Sequence, residues 1–205
     1  MPAEQNFTPE DLPKPEPQSG FEPLRYFFFD FLKVFIMAVA IIIPVRWFLF
    51  QPFVVTGDSM RPTFHNGNYL IIDELTYRFR APARGEVVVM RFPKDPSQYF
   101  IKRIVGLPGE HLVIRDGQVK IYNAEHPSGL TLEESYLQSQ NITHGNIDLR
   151  LKSEEFFVLG DNRLSSSDSR VWGILPRQDI VGRVYLRLFP LDELQLFIPS
   201  PYYND

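Results

Sequence analysis

The sequence predicts a β-rich domain that carries a small insertion and follows one membrane-spanning helix. Three observations lead there. A single strongly apolar stretch, Phe31–Phe50, stands near the N-terminus. From Gln51 onward the chain breaks into short apolar runs divided by Gly, Pro, Asn and Asp, the punctuation of strands and turns. The 18 prolines and 12 glycines in 205 residues favour short elements over long helices.

Composition narrows the chemistry. Hydrophobic residues make up 44% and aromatics 14%, enough to build a core and too much for a disordered chain. The net charge is -4, with no run of Lys or Arg, so nothing points to a phosphate backbone and no nucleic acid is expected. Cysteine is absent. That excludes disulfides, thiolate metal ligands and cysteine nucleophiles together. The four histidines, His65, His111, His126 and His144, show no metal-ligand spacing. Neither a metal nor an organic cofactor is indicated.

In chain order, residues 1–25 read as a disordered tail. Six prolines between Pro2 and Pro23 alternate with acidic residues, and such a stretch buries too little apolar surface to order itself. Residues 26–50 read as the membrane helix. The 20 residues Phe31–Phe50 span ~30 Å as a helix, the thickness of a bilayer's hydrocarbon core. Lys33 and Arg46 lie near its ends, where long stems can snorkel. Trp47 suits the interface, and Pro44 kinks the last turns. The anchor reads as uncleaved. A basic n-region is missing, and Ala38-Val39-Ala40 lies inside the apolar run instead of after it. Basic residues on both sides of the span, Arg25 before it and Arg46, Arg61 and Arg78 after it, leave its orientation open.

Residues 51–205 read as the β-rich domain. Strands are predicted at Phe53–Thr56, Asn68–Asp73, Glu86–Phe92, Tyr99–Val105, His111–Arg115, Gln118–Tyr122, Glu155–Leu159 and Ile180–Leu188. Asp116-Gly117 between two alternating runs is a two-residue hairpin signal. Thr131-Leu-Glu-Glu134 has the form of a capping box and predicts a short helix through Leu137. The stretch from about Pro108 to Ser153 reads as the inserted subdomain. Its sequon Asn141-Ile-Thr143 is attributed to chance.

Three stretches could carry chemistry. Ser59 sits in Gly57-Asp-Ser-Met-Arg-Pro-Thr63, a turn that Pro62 stiffens by fixing its own backbone and extending Arg61. A serine there can present its hydroxyl as a nucleophile while its N–H, with groups around Gly57, faces a developing oxyanion. It is equally compatible with a plain turn. Lys102 lies in Tyr99-Phe-Ile-Lys-Arg-Ile-Val105, where alternation puts it on one face with Phe100 and Ile104. Burial there would lower its pKa and leave a neutral amine able to act as a base; a snorkelling strand lysine is the plainer reading. His65 is near enough in sequence to be an alternative base. The third stretch, Gly160–Gly173, is dense in hydroxyls and opposite charges. Asp168 and Arg170 are spaced to pair there, and a serine among Ser165–Ser167 could bond a buried amine. A solvated, salt-bridged loop explains its composition as well.

Taken together, these stretches resemble the type I signal peptidases, membrane-bound Ser/Lys endopeptidases that remove secretory leader sequences. Ser59-Met-Arg-Pro-Thr63 is similar to the family's nucleophile box. Arg84-Gly-Glu-Val-Val-Val and Tyr99–Glu110 are similar to its lysine box. Gly160-Asp-Asn-Arg, followed by Ser166, Asp168, Ser169, Arg170 and Gly173, is similar to its final box. The resemblance spans roughly residues 30–190 and implies a mainly antiparallel β catalytic domain. It implies Ser59 as nucleophile, Lys102 as neutral general base, Ser166 orienting the lysine, and the Ser59 N–H in the oxyanion hole. It further implies Asp168–Arg170 as a bracing ion pair, with Asp161 and Arg103 in support. Gly57 matches members that lack a serine hydroxyl at this position. Asn66-Gly67-Asn68 departs from the family's usual Gly-Asp. The implied partners are secretory preproteins cut after small residues, the lipid bilayer and the protein-export translocon. The implied location is a bacterial-type plasma membrane, crossed once, with the tail cytoplasmic and the catalytic domain outside.

Overall fold

The computed structural model describes residues 22–48, 50–138 and 142–197. The tail through residue 21, Leu49 and Asn141 of the sequon lie outside the described residues. The chain divides into two compact units, residues 1–43 and 44–205, so the boundary falls at Pro44.

Helix α1 covers Glu22–Phe48, 27 residues. It starts earlier than expected, and it stops sooner because Phe50 already pairs with Asp73 in a sheet. Between Tyr26 and Ile42 its large apolar side chains point outward on every side; Phe27, Phe31, Val34 and Ile41 are each more than 60% exposed. Lys33 pairs with Asp30 at 3.1 Å. Among the described residues no helix is long and apolar enough to cross a membrane.

The second unit is built from strands β1 (Phe50–Val54), β2 (Tyr69–Asp73), β3 (Val87–Phe92), β4 (Asp95–Gly106), β5 (His111–Arg115) and β6 (Gln118–Tyr122). It continues with β7 (Leu130–Thr131), β8 (Ile147–Arg150), β9 (Glu155–Leu159), β10 (Leu175–Pro176), β11 (Ile180–Phe189) and β12 (Gln195–Leu196). The larger sheet runs β1-β2-β11-β3-β4-β9-β10, with β12 beside β11. The smaller runs β7-β6-β5-β8. Every pairing in both is antiparallel.

The central strand β3 explains why the larger sheet is buried on both sides. Val87 to Met90 are all buried, the continuous apolar run of a two-sided strand. Val88 and Met90 pack with Ile104, Val158 and Trp172. Val87 and Val89 pack with Met60, Phe64, Leu70 and Ile72. Each such side chain contributes roughly 1.5–3 kcal/mol when fully withdrawn from water. A third cluster joins the smaller sheet's Leu112, Ile114, Val119 and Ile121 to Val105 and Phe157 of the larger one. The β5–β6 hairpin turns at Asp116 and Gly117, with φ +52° and +81°, as a type I′ turn requires.

The helix expected over 131–137 does not form. Thr131 belongs to β7 and pairs with Lys120, and one turn, Leu137 N–H to the Glu134 carbonyl, is what remains. The Glu134 carboxylate binds Arg163 instead of reaching back to cap. An isolated helix of this length is marginal, and a strand pairing with a buried ion pair outweighs it. Strand β8 lies in the stretch read as polar insertion; its residues alternate between half-buried and exposed.

Candidate active site

The turn bearing Ser59 is held from both sides. Behind it, Met60 and Phe64 are buried and anchor the turn in the core. The backbone of 55–57 is stitched to the loop before β2. Val55 N–H donates to the Asn68 carbonyl at 2.9 Å, and Gly57 N–H to Asn66 Oδ1 at 3.0 Å. Asn68 is itself buried, its Oδ1 accepting from His65 N–H. Gly57 has φ +86°. Among the described residues the Ser59 N–H has no acceptor.

From the other side comes the loop after β9. Asn162 N–H donates to the Ser59 carbonyl at 3.0 Å, and its Nδ2 to the Asp58 carbonyl at 3.1 Å. The approach is so close that a Cβ on Gly160 would lie 2.5 Å from the Ser59 carbonyl oxygen and 2.1 Å from Ser166 Oγ. Only glycine fits there.

Lys102 reaches this turn from β4. Its Nζ lies 2.9 Å from Ser59 Oγ and 2.8 Å from the Ile101 carbonyl, and 5.3 Å from the centre of the Phe100 ring. The residue is 3% exposed. Burial lowers its pKa from 10.5 to about 8, against the opposing pull of Asp168 and Asp161. The cause is the cost of holding an ammonium without water. A useful fraction of the amine is therefore neutral near neutral pH, within reach of a hydroxyl proton.

Asp161, Asp168, Arg103 and Arg170 form two buried ion pairs around this centre. Arg103 grips Asp161 with two nitrogens, at 2.8 and 2.5 Å, and Thr63 Oγ1 donates to the same carboxylate at 2.5 Å. This ties the Ser59 turn, β4 and the Gly160 loop together. Asp168 takes two bonds from Arg170, both 2.8 Å, receives Gly160 N–H, and caps α2 (Ser169–Trp172). Such forked, charge-assisted pairs fix orientation as well as charge. Ser166 Oγ is buried with no hydrogen-bond partner among the described residues; the bonds of Lys102 to Ser59 and Ile101 go elsewhere.

A cavity of about 290 Å³ opens beside the pair, lined by Phe53, Val55, Val89, Tyr99 and Ile101 along with Ser59 and Lys102. Among the described residues no cluster of His, Asp and Glu could hold a metal.

Several contributors lie in stretches singled out from the sequence but had no role assigned there. Asn66 and Asn162 bond backbone atoms of the turn from 9 and 104 residues away, distances that carry no local pattern. Arg84 pairs with Glu110 at 2.5 and 2.8 Å in the interior, and Arg163 with Glu134.

Comparison with known proteins gives the family. The family model described as signal peptidase, peptidase S26, matches residues 28–189. A signal peptidase I of Leptolyngbya laminosa is 34% identical over 179 residues, 84% of this chain and 85% of that one. Signal peptidase I P of Bacillus subtilis subsp. natto is 30% identical over 176 residues, covering 81% of this chain and 91% of its own. Among solved structures, a signal peptidase I of Enterococcus faecalis V583 aligns with a TM-score of 0.43 at 27% identity. It covers 51% of this chain and 97% of that one.

Proposed function

The chain belongs to the signal peptidase family, peptidase S26, and on that premise we propose that it cleaves leader sequences from secretory preproteins with a Ser59–Lys102 dyad. One observation carries this reading. A buried amine with pKa near 8 stands 2.9 Å from a serine hydroxyl beside an apolar cavity.

The steps follow from the geometry. Neutral Lys102 takes the Ser59 proton as Oγ attacks the scissile carbonyl carbon. The Ser59 N–H, which has no internal acceptor among the described residues, supports the oxyanion. Protonated Lys102 gives its proton to the leaving amine, and an acyl-serine remains. Water then attacks the ester as Lys102 takes its proton; the protonated amine returns that proton to the departing Ser59 Oγ, which frees the leader's new carboxyl end and restores the dyad. Gly57 shapes the turn; its N–H is engaged by Asn66, and it has no hydroxyl to add a second donor. Asp161–Arg103 and Asp168–Arg170 hold the loop against the turn. Ser166 stands against Gly160 and is assigned in this reading the orienting of the amine. The substrate lies extended, with small side chains beside the scissile bond entering the cavity.

Helix α1 serves in this reading as a single-pass anchor. Its outward apolar side chains suit acyl chains, provided Lys33 and its like snorkel to the headgroups. The β-rich unit then works at the extracytoplasmic face, near the translocon where leaders emerge. The smaller sheet is the inserted subdomain.

Incubating purified protein with a precursor and weighing the products tests the proposal. A single cut after a small residue is expected, lost in both Ser59→Ala and Lys102→Ala. Wild-type cleavage by either variant would sink the dyad. Extraction of the protein from membranes by alkaline carbonate would remove the anchor.

A further inference from the structure

After β7, residues 132–138 leave the smaller sheet and reach the Gly160 loop. They bring two side chains there. Glu134 receives two bonds from Arg163, one of them 2.8 Å; the Arg163 side chain is 0% and that of Glu134 9% exposed. Tyr136 stands between two arginines. Its hydroxyl accepts from Arg163 Nη2 at 3.2 Å and donates to Glu134 Oε1 at 2.6 Å. Its ring lies under the Arg103 guanidinium, 4.0 Å from ring centre to Cζ.

Both arginines lead to the proposed dyad. Arg163 Nε donates to the Gly160 carbonyl at 3.2 Å, and the Arg163 carbonyl accepts from Arg170 at 2.8 Å. Arg103 follows Lys102 on β4 and grips Asp161. Asn162, next in the chain, holds the Ser59 carbonyl. A guanidinium stacked on a ring and forked onto a carboxylate has little freedom left.

We propose that Tyr136, with Glu134, is a positioning clamp through which the smaller sheet fixes the Gly160–Asn162 loop against Ser59 and Lys102. The clamp touches neither substrate nor the reacting atoms. It sets the spacing of the dyad by holding the loop that carries Asn162 against the Ser59 turn. This rests on the Ser59–Lys102 reading.

The test compares full-length wild type, Ser59→Ala, Tyr136→Ala, Tyr136→Phe and Lys120→Ala in precursor cleavage across pH. Tyr136→Ala should lower kcat by about tenfold or more with KM within about twofold, because small displacements of reacting groups are costly. Its pH midpoint should move upward, since displacing the loop after β9, whose Ser167 lines the cavity beside Lys102, relieves the burial that lowers the amine's pKa. Tyr136→Phe, which keeps the stack on Arg103, should recover most of the rate and the midpoint. Lys120→Ala, exposed on β6, should match wild type. If Tyr136→Ala is too unstable to assay, Tyr136→Leu fills the space without ring or hydroxyl and is expected to behave the same way. A Ser59-dependent enzyme that ignores loss of the ring, or loses rate with an unmoved midpoint, overturns the clamp alone. Wild-type cleavage by Ser59→Ala removes the dyad and the clamp with it.

Discussion

Lys102 and Arg103 are adjacent cations on one strand with opposite fates. Arg103 is met by Asp161, Thr63, the Gly85 carbonyl and the Tyr136 ring. Lys102 is met by a hydroxyl, a carbonyl and an apolar ring, with no carboxylate in hydrogen-bond reach among the described residues. Alternation along the strand sends the two side chains to opposite faces. Arginine suits the first because it stays charged and forks onto a carboxylate. Lysine suits the second because it can give up its proton when buried. One strand thus supplies a permanent brace and a titratable amine side by side.

The hardest way to break this contrast is to make both cations permanent. Lys102→Arg should cost ~1000-fold or more in kcat/KM, as much as Lys102→Ala, since a guanidinium cannot accept the serine proton. Steady-state cleavage at pH 8 reads it. Arg103→Ala attacks the other half. It takes the forked guanidinium from the buried Asp161 carboxylate, and stability should fall by roughly 3–5 kcal/mol in urea unfolding.

Lys102→Met should instead stabilise the protein while abolishing cleavage. The folded pKa of about 8 lies below the ordinary 10.5, so between those values the unfolded chain binds more protons and stability rises with pH. Below pH 8 the whole penalty applies, about 3 kcal/mol by that shift. The gain from Met should be greatest at pH 7 and fade as pH approaches 10.5, which parallel unfolding curves at both ends would reveal. The same titration predicts that wild-type kcat/KM climbs to a plateau with an apparent pKa near 8; a flat profile from pH ~6 to ~9 would contradict it.

The smallest effect sharpens the contrast by location. Arg61 and Asp58 flank Ser59 and pair at 2.9 Å, but both side chains are about half exposed. Arg61→Ala should change stability by less than ~1 kcal/mol, as water and salt already screen such a pair.

Much of the fold was legible because its signals are local. The alternating runs of β5 and β6 and the Asp116-Gly117 turn fix a hairpin without help from elsewhere, and His111–Arg115, Gln118–Tyr122 and Glu155–Leu159 are strands with the predicted limits. The capping box at Thr131 was a local signal too, and it lost to the pairing with Lys120 and to Arg163. Asn66 and Asn162 stood in noted stretches but their roles were not legible, because an asparagine in a polar loop looks the same whether it bonds water or a distant backbone group.

The sequence by itself determined the kinds of groups available: a serine on a stiff turn, a lysine among apolar strand residues, and a loop of paired charges. Residue type, spacing and strand period are enough for that. The tertiary structure alone decided which of them meet. It set the 2.9 Å between Ser59 and Lys102, the carboxylate given to Arg103 and withheld from Lys102, and the burial that brings the lysine's pKa to about 8. Proximity and dielectric belong to the packed chain, since they depend on what every other segment places around a side chain.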